Sequence, residues 1–229
     1  MADSRPPYTA ILCDLDGTIV DSAPGITATL AYTFETLGLP VPTPAELLAW
    51  VGPPILDSFR DLAGFDAELS RRALEIYRPR YLATGAYNAS LYPGMAEVLH
   101  AIGRAGIPLS LATSKPETPA RAVLEHFSLT DAFDELTGAS DDEVRSAKKD
   151  VVEEALRRLR DGGADLSRPV LIGDREHDVE GAAHHGVPTI FATWGYGSAA
   201  EAAGAIAVVD EPAELLPLLG LPRPTESAS

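Results

Sequence analysis

The chain has 229 residues, enough for one generous domain or a core with a smaller companion, and 45% hydrophobic against 23% charged residues is a globular balance. Its 34 acidic residues outnumber 18 Lys and Arg, for a formal charge of −16, which excludes a protein that holds nucleic acid by counterion release and gives an anionic membrane nothing to attract. No apolar run approaches the ~20 residues of a membrane helix, and "MADSRPPYTA" lacks the basic-then-apolar order of a secretion signal, so the expected location is cytoplasmic.

The first predicted strand runs from Tyr8 to Cys13. Cys13, the one cysteine of the chain, lies inside it and is expected to be buried and unreactive. The strand ends in Asp14-Leu15-Asp16-Gly17-Thr18. Alternate residues of an extended chain face the same way, so both acids address one point while Leu15 turns back into the core. Gly17 then permits a sharp turn.

From Ser22 to about Asn88 the pattern is helical, without a convincing strand. A first helix shows Ile26, Leu30, Phe34 and Leu37 on one face and ends near Gly38. A second opens at Thr43-Pro44-Ala45-Glu46, which combines an N-cap threonine, a proline at the first helical position and a capping-box glutamate. The turn Val51-Gly52-Pro53-Pro54 starts a third, and Ala67 to Leu82 supplies a fourth. Residues 21–89 are therefore expected to form a small helical bundle, inserted into a core built from 1–20 and 90–229.

Beyond Tyr92-Pro93-Gly94, apolar runs at Ile107 to Ala112, Phe133 to Thr137, Pro169 to Ile172, Pro188 to Ala192 and Ile206 to Val209 alternate with helical periods such as Val151, Val152, Ala155, Leu156 and Leu159. The alternation predicts an α/β fold, Rossmann-like and doubly wound, with a mainly parallel sheet covered on both faces. The terminal "PRPTESAS" reads as a disordered tail.

Ligands of such sheets gather beyond the carboxyl ends of the strands. Asp14 and Asp16 follow the first strand, Thr113 and Ser114 the second, and Gly173-Asp174 the fourth, with Asp178 four residues on. Only three lysines occur, Lys115, Lys148 and Lys149, and the last two open a predicted helix. Converging carboxylates repel one another unless a cation neutralises them. Hard oxygen donors with no histidine or cysteine cluster favour Mg²⁺ over zinc, and Mg²⁺ is commonly completed by a substrate phosphate. The expected partner is a small phosphorylated metabolite, held by Thr113 and Lys148.

In order, "DLDGTIVDS", "LSLATSK", "RSAKKDVV" and "LIGDREHDVEGA" resemble the four motifs of the haloacid dehalogenase superfamily. The likeness spans nearly the whole chain. The helical insert after the first motif and "TWGYGS" at Thr193 to Ser198 resemble the phosphoglycolate-phosphatase-like branch. The resemblance implies a phosphatase in which Asp14 is the nucleophile, forming an aspartyl-phosphate, and Asp16 is the acid and base. It implies a Mg²⁺ site of Asp14, the backbone carbonyl of Asp16, and Asp174, with Asp178 close by. It implies phosphate contacts from Thr113, Ser114 and a lysine. Many relatives follow that lysine with proline, whereas this chain has Lys148-Lys149-Asp150, so Lys148 and Lys149 both remain candidates; Lys148 leaves Val151 and Val152 on the buried face.

The absence of lysine between Ser22 and Asn88 argues against the relatives that cleave carbon–phosphorus bonds through a cap lysine, and Asp16 argues against the dehalogenases. Phosphoglycolate is the expected substrate. A nucleoside monophosphate, a sugar phosphate, a phosphomutase reaction and a non-catalytic metabolite sensor are the alternatives. The expected assembly is a monomer or homodimer.

Overall fold

The alternating apolar runs pair into one six-stranded sheet in a computed structural model of the chain, which describes residues 6–222. From Arg223 onward the expected disordered tail lies outside the described residues. The strands are β1 (Ala10–Cys13), β2 (Val20–Asp21), β3 (Ser90–Leu91), β4 (Leu109–Pro116), β5 (Glu135–Ala139), β6 (Pro169–Gly173), β7 (Thr189–Ala192) and β8 (Ala207–Val209). The helices are α1 (Ala23–Leu37), α2 (Pro44–Leu48), α3 (Ile55–Asp61), α4 (Ala67–Ala83), α5 (Met95–Arg104), α6 (Glu117–His126), α7 (Lys148–Asp161), α8 (Glu176–Ala183) and α9 (Leu215–Leu218).

The large sheet has the order β5-β4-β1-β6-β7-β8, and every pairing in it is parallel. The chain winds outward from β1 to β4 and β5, then crosses back to β6 on the other side of β1. The strand order thus reverses beside β1, at whose carboxyl end Asp14 stands, and such switch points open the crevice that binds ligands.

Both faces of the sheet are covered, which is why its strands read as unbroken apolar runs. Ala10, Leu12 and Leu171 pack on one face with Val151, Val152, Ala155 and Leu159 of α7. Ile11, Cys13, Val170 and Ile172 pack on the other with Leu99 and Ile102 of α5, and that cluster continues into the helical segment. Cys13 is a free, fully buried thiol whose pKa is raised by that burial, as its place in the strand predicts.

Residues 23–87 carry α1 to α4 and a short 3₁₀ turn. The capping box of α2 forms as predicted: Thr43 N donates to Glu46 Oε2 at 2.8 Å, and Glu46 N donates to Thr43 Oγ1 at 3.3 Å. Phe34, Trp50, Phe59 and Phe65 interlock at ring separations of 5.5–5.7 Å. Gly25 of α1 sits so close to the Gly85 carbonyl that any Cβ there would collide with it.

The two-residue strands β2 and β3 pair antiparallel, Val20 with Leu91 and Asp21 with Ser90, where the chain leaves and rejoins the core. Two residues are too few to show a period. One boundary also differs from expectation. The second core strand continues past Ala112 to Pro116, with its register interrupted between Thr113 and Pro116. Thr113 and Ser114 therefore lie within the irregular end of β4 rather than after it.

Candidate active site

Asp14 and Asp16 are 4% and 5% exposed, and Leu15 between them is fully buried, as the alternation of an extended strand requires. Gly17 turns the chain with φ of 87°, in the region where side chains are strained, and a Cβ there would run into the Asp174 carboxylate.

The two acids have different partners. Lys148, the first residue of α7, sends its ammonium to Asp14 Oδ1 at 2.6 Å, Asp178 Oδ1 at 2.7 Å and the Ala112 carbonyl at 2.9 Å. Lys149, the other candidate, is exposed, whereas Lys148 is buried. Asp16 instead accepts from Lys115 Nζ at 2.8 Å, and Lys115 also donates to the Tyr81 hydroxyl of α4 at 2.9 Å. Lys115 was not among the expected site residues. Its signal was present in the sequence: in a chain with three lysines, one directly follows Thr113-Ser114.

Asp174 accepts from Tyr196 N at 2.7 Å and from the Thr18 hydroxyl at 3.2 Å. Asp178 Oδ2 accepts from the backbone N–H groups of Asp174 at 3.1 Å and Arg175 at 3.0 Å, which orders the loop that carries Asp174. Thr113 is 1% exposed, and its Oγ1 accepts from Lys115 N at 3.2 Å; Ser114, 5% exposed, borders the adjoining cleft.

Ligating oxygens of Asp14, Asp174 and Asp178 all lie within 4.8 Å of one another, and all three residues are buried. Burial raises the Asp14 carboxyl to about 6; Lys148 opposes that rise, and Asp178 and Asp16 reinforce it. Asp174 is pushed well above the ordinary carboxylate range by burial, then by Asp178 and Asp14. Burial works against the Lys148 ammonium, yet Asp14 and Asp178 outweigh it and hold its pKa above that of an ordinary lysine. One ammonium facing three buried carboxylates leaves a surplus of negative charge on hard oxygens. That donor set fits a divalent cation of the Mg²⁺ kind. The Asp16 carboxylate is not part of it.

The loop after β7 fastens this cluster to the start of α1. Tyr196, whose N–H holds Asp174, has a hydroxyl that donates to Asp21 Oδ1 at 2.7 Å and accepts from Ser22 N at 2.8 Å and Ala23 N at 2.9 Å. Trp194 Nε1 donates to the Thr18 carbonyl at 3.0 Å. Arg175 reaches the Val51 carbonyl at 2.8 Å, next to the Gly52-Pro53-Pro54 turn, and pairs with Glu201 at 2.8 Å. The tyrosine hydroxyl does the work of an N-cap side chain for α1, because the Ser22 hydroxyl makes no bond among the described residues. Tyr196→Phe is expected to cost about 1–2 kcal/mol of stability, read as a lower midpoint in thermal unfolding. An unchanged midpoint would show that this cap contributes nothing.

A cleft of about 240 Å³ opens between the sheet edge and the helical segment. Asp16, Ser114 and Lys115 border it from the core, and Trp50, Tyr77 and Tyr81 from the helical segment. Among the described residues, no helix is long and apolar enough to cross a membrane.

Two strand-end acids, buried carboxylates that fit a cation, a hydroxyl and a buried lysine meet at the switch point of a parallel sheet, a set of groups suited to phosphoryl-transfer chemistry. The chain belongs to the haloacid dehalogenase-like hydrolases, the family whose pattern matches residues 11–192. It is 40% identical over 189 residues to tyrosine-protein kinase PtkA of Mycobacterium tuberculosis, covering 82% of this chain and 63% of PtkA; the match thus spans less than two thirds of that relative. It is 37% identical to a 5'-nucleotidase of Pseudomonas aeruginosa, covering 86% of this chain and 88% of that one. It is 34% identical to a phosphoglycolate phosphatase of Rhodospirillum rubrum, covering 94% and 92%. A crystal structure described as a predicted phosphatase from Clostridium acetobutylicum superposes with a TM-score of 0.84 at 37% identity, covering 91% of this chain and 96% of that one.

Proposed function

We propose that the protein is a Mg²⁺-dependent phosphomonoesterase that carries the phosphoryl group on Asp14. The observation that carries this reading is the separate pairing of the two acids, Asp14 with Lys148 and Asp16 with Lys115. Separate partners hold the two carboxylates apart, Asp14 in the buried acidic cluster and Asp16 at the edge of the cleft, and a nucleophile and a group serving the leaving oxygen need such separate placement.

An Asp14 oxygen attacks phosphorus, and the bond from phosphorus to the leaving oxygen breaks. Asp16 gives that oxygen its proton. Water then attacks the aspartyl-phosphate, Asp16 takes the proton of the water, and inorganic phosphate leaves Asp14 regenerated. Lys148 keeps Asp14 oriented and, with the Thr113 hydroxyl and Ser114, binds the phosphoryl oxygens as charge shifts onto them. Asp14, Asp174 and Asp178, with the Asp16 carbonyl, would hold the Mg²⁺, which when bound offsets the repulsion between an anionic nucleophile and an anionic phosphate. Residues 21–89 act as a cap over the site, and Tyr81 and the Gly52 turn bring it against the core.

The test is inorganic phosphate release from p-nitrophenyl phosphate, phosphoglycolate and nucleoside monophosphates, with Mg²⁺ and with chelator. Asp16→Asn is expected to lower the rate about 10²- to 10⁴-fold with Mg²⁺ saturating. A rate equal to wild type would remove its acid and base role. The identity with PtkA favours a second reading, in which the phosphoryl group passes to an acceptor other than water; label on a tyrosine, in place of free phosphate, would support it.

A further inference from the structure

The cleft beside Asp16 holds an ion pair that the phosphoryl chemistry does not use. Arg78 of α4 and Glu143, from the loop between β5 and α7, meet across it at 2.8 Å, Nη2 to Oε1. The Glu143 side chain is 2% exposed, and its second oxygen, Oε2, has no hydrogen-bond partner among the described residues. A buried acceptor left unpaired is costly, and in a ligand cleft the natural remedy is a donor on the ligand. Glu143 also holds φ at 62°, a strained conformation for a residue with a side chain, and such strain collects at binding sites. The walls beside the pair are flat and apolar, with Trp50, Tyr77, Tyr81 and Pro116 prominent.

Resting on the phosphomonoesterase reading, we infer that Glu143, held by Arg78, selects the leaving group, and that this group is a nucleobase whose N–H edge donates to Glu143 Oε2. The substrate class is the nucleoside monophosphates. A planar heterocycle matches aromatic walls, whereas a two-carbon acid leaves most of a cleft of about 240 Å³ unfilled. Charge points the same way. Arg78 is paired with Glu143 and Lys115 with Asp16, and Asp141 borders the same cleft, so among the described residues a carboxylate on the leaving group meets acids and no unpaired cation at that end. Phosphoglycolate, the substrate suggested by the family branch, is therefore expected to be poor.

The experiment compares kcat/KM for a panel of nucleoside monophosphates, phosphoglycolate and p-nitrophenyl phosphate in wild type and Glu143→Gln. p-Nitrophenyl phosphate offers a flat ring with no N–H, so it reports the phosphatase chemistry apart from the Glu143 contact. In wild type the best nucleotide is expected to exceed phosphoglycolate at least about tenfold, and Glu143→Gln to lower the nucleotide value about tenfold or more, chiefly through KM, with p-nitrophenyl phosphate unchanged. Phosphoglycolate outperforming every nucleotide would overturn the inference. So would equal losses on nucleotide and p-nitrophenyl phosphate. If no compound releases phosphate, the phosphomonoesterase reading fails, and calorimetric titration of the same nucleotides with Mg²⁺ decides the contact by itself: binding weakened by Glu143→Gln supports it, and equal or absent binding overturns it.

Discussion

Asp14→Asn is expected to abolish phosphate release from every substrate, a loss of at least about 10³-fold, while the protein stays folded. The amide keeps the shape of the carboxylate at a buried position, 4% exposed, but it is no nucleophile toward phosphorus. Its effect on stability has the opposite sign. Burial raises the Asp14 carboxyl from an ordinary 3.8 to about 6, so without metal the folded protein binds this proton more tightly than the unfolded chain does. That contribution costs nothing below the ordinary value and grows as pH rises through the folded one. In chelator, Asp14→Asn should therefore match or exceed wild type in thermal midpoint near neutral pH, and its advantage should shrink toward about pH 4. A variant that turns over at the wild-type rate would mean that another group takes the phosphoryl.

Lys148→Met is expected to be the most damaging substitution for the architecture of the site. It removes the ammonium that forms ion pairs with both Asp14 and Asp178, from a position where its side chain is 6% exposed. Breaking a buried pair in this way typically costs about 3–5 kcal/mol, because the remaining charge is left uncompensated. The thermal midpoint in chelator should fall steeply at about pH 8 and less at about pH 5, where Asp14 and Asp174, both already raised, take up protons. Mg²⁺ should restore part of the stability but not the rate, since the phosphoryl oxygens have also lost a donor. A midpoint that does not move in chelator would show that Lys148 is not the balancing charge.

Much of this arrangement was legible in the amino-acid order because the signals are local. Each core strand is a short apolar run, so all six were found, and β1 shows its two acids by simple alternation around Leu15. Thr43 and Glu46 announce α2 because a capping box is complete within four residues. What escaped depends on contacts made far along the chain. Lys115 reaches Asp16 across 99 positions and Tyr196 reaches Asp21 across 175, and no period or spacing encodes either bond. Nothing in the sequence pairs Arg78 with Glu143, which sits 65 residues away in a loop. That Lys148 turns inward and Lys149 outward also needed the structure, since adjacent residues at a helix start differ only in which face the first turn buries.

The measurement that bears most directly on Asp14 is recovery of the phosphoryl group on the enzyme itself. The protein would be mixed with phosphate-labelled substrate and Mg²⁺, quenched in acid during turnover, digested, and its peptides examined for label. Label confined to the peptide that spans Asp14, released by hydroxylamine and absent from Asp14→Asn, is the expected result. Label on another residue, stable to hydroxylamine, or turnover that proceeds unchanged in Asp14→Asn, would contradict it.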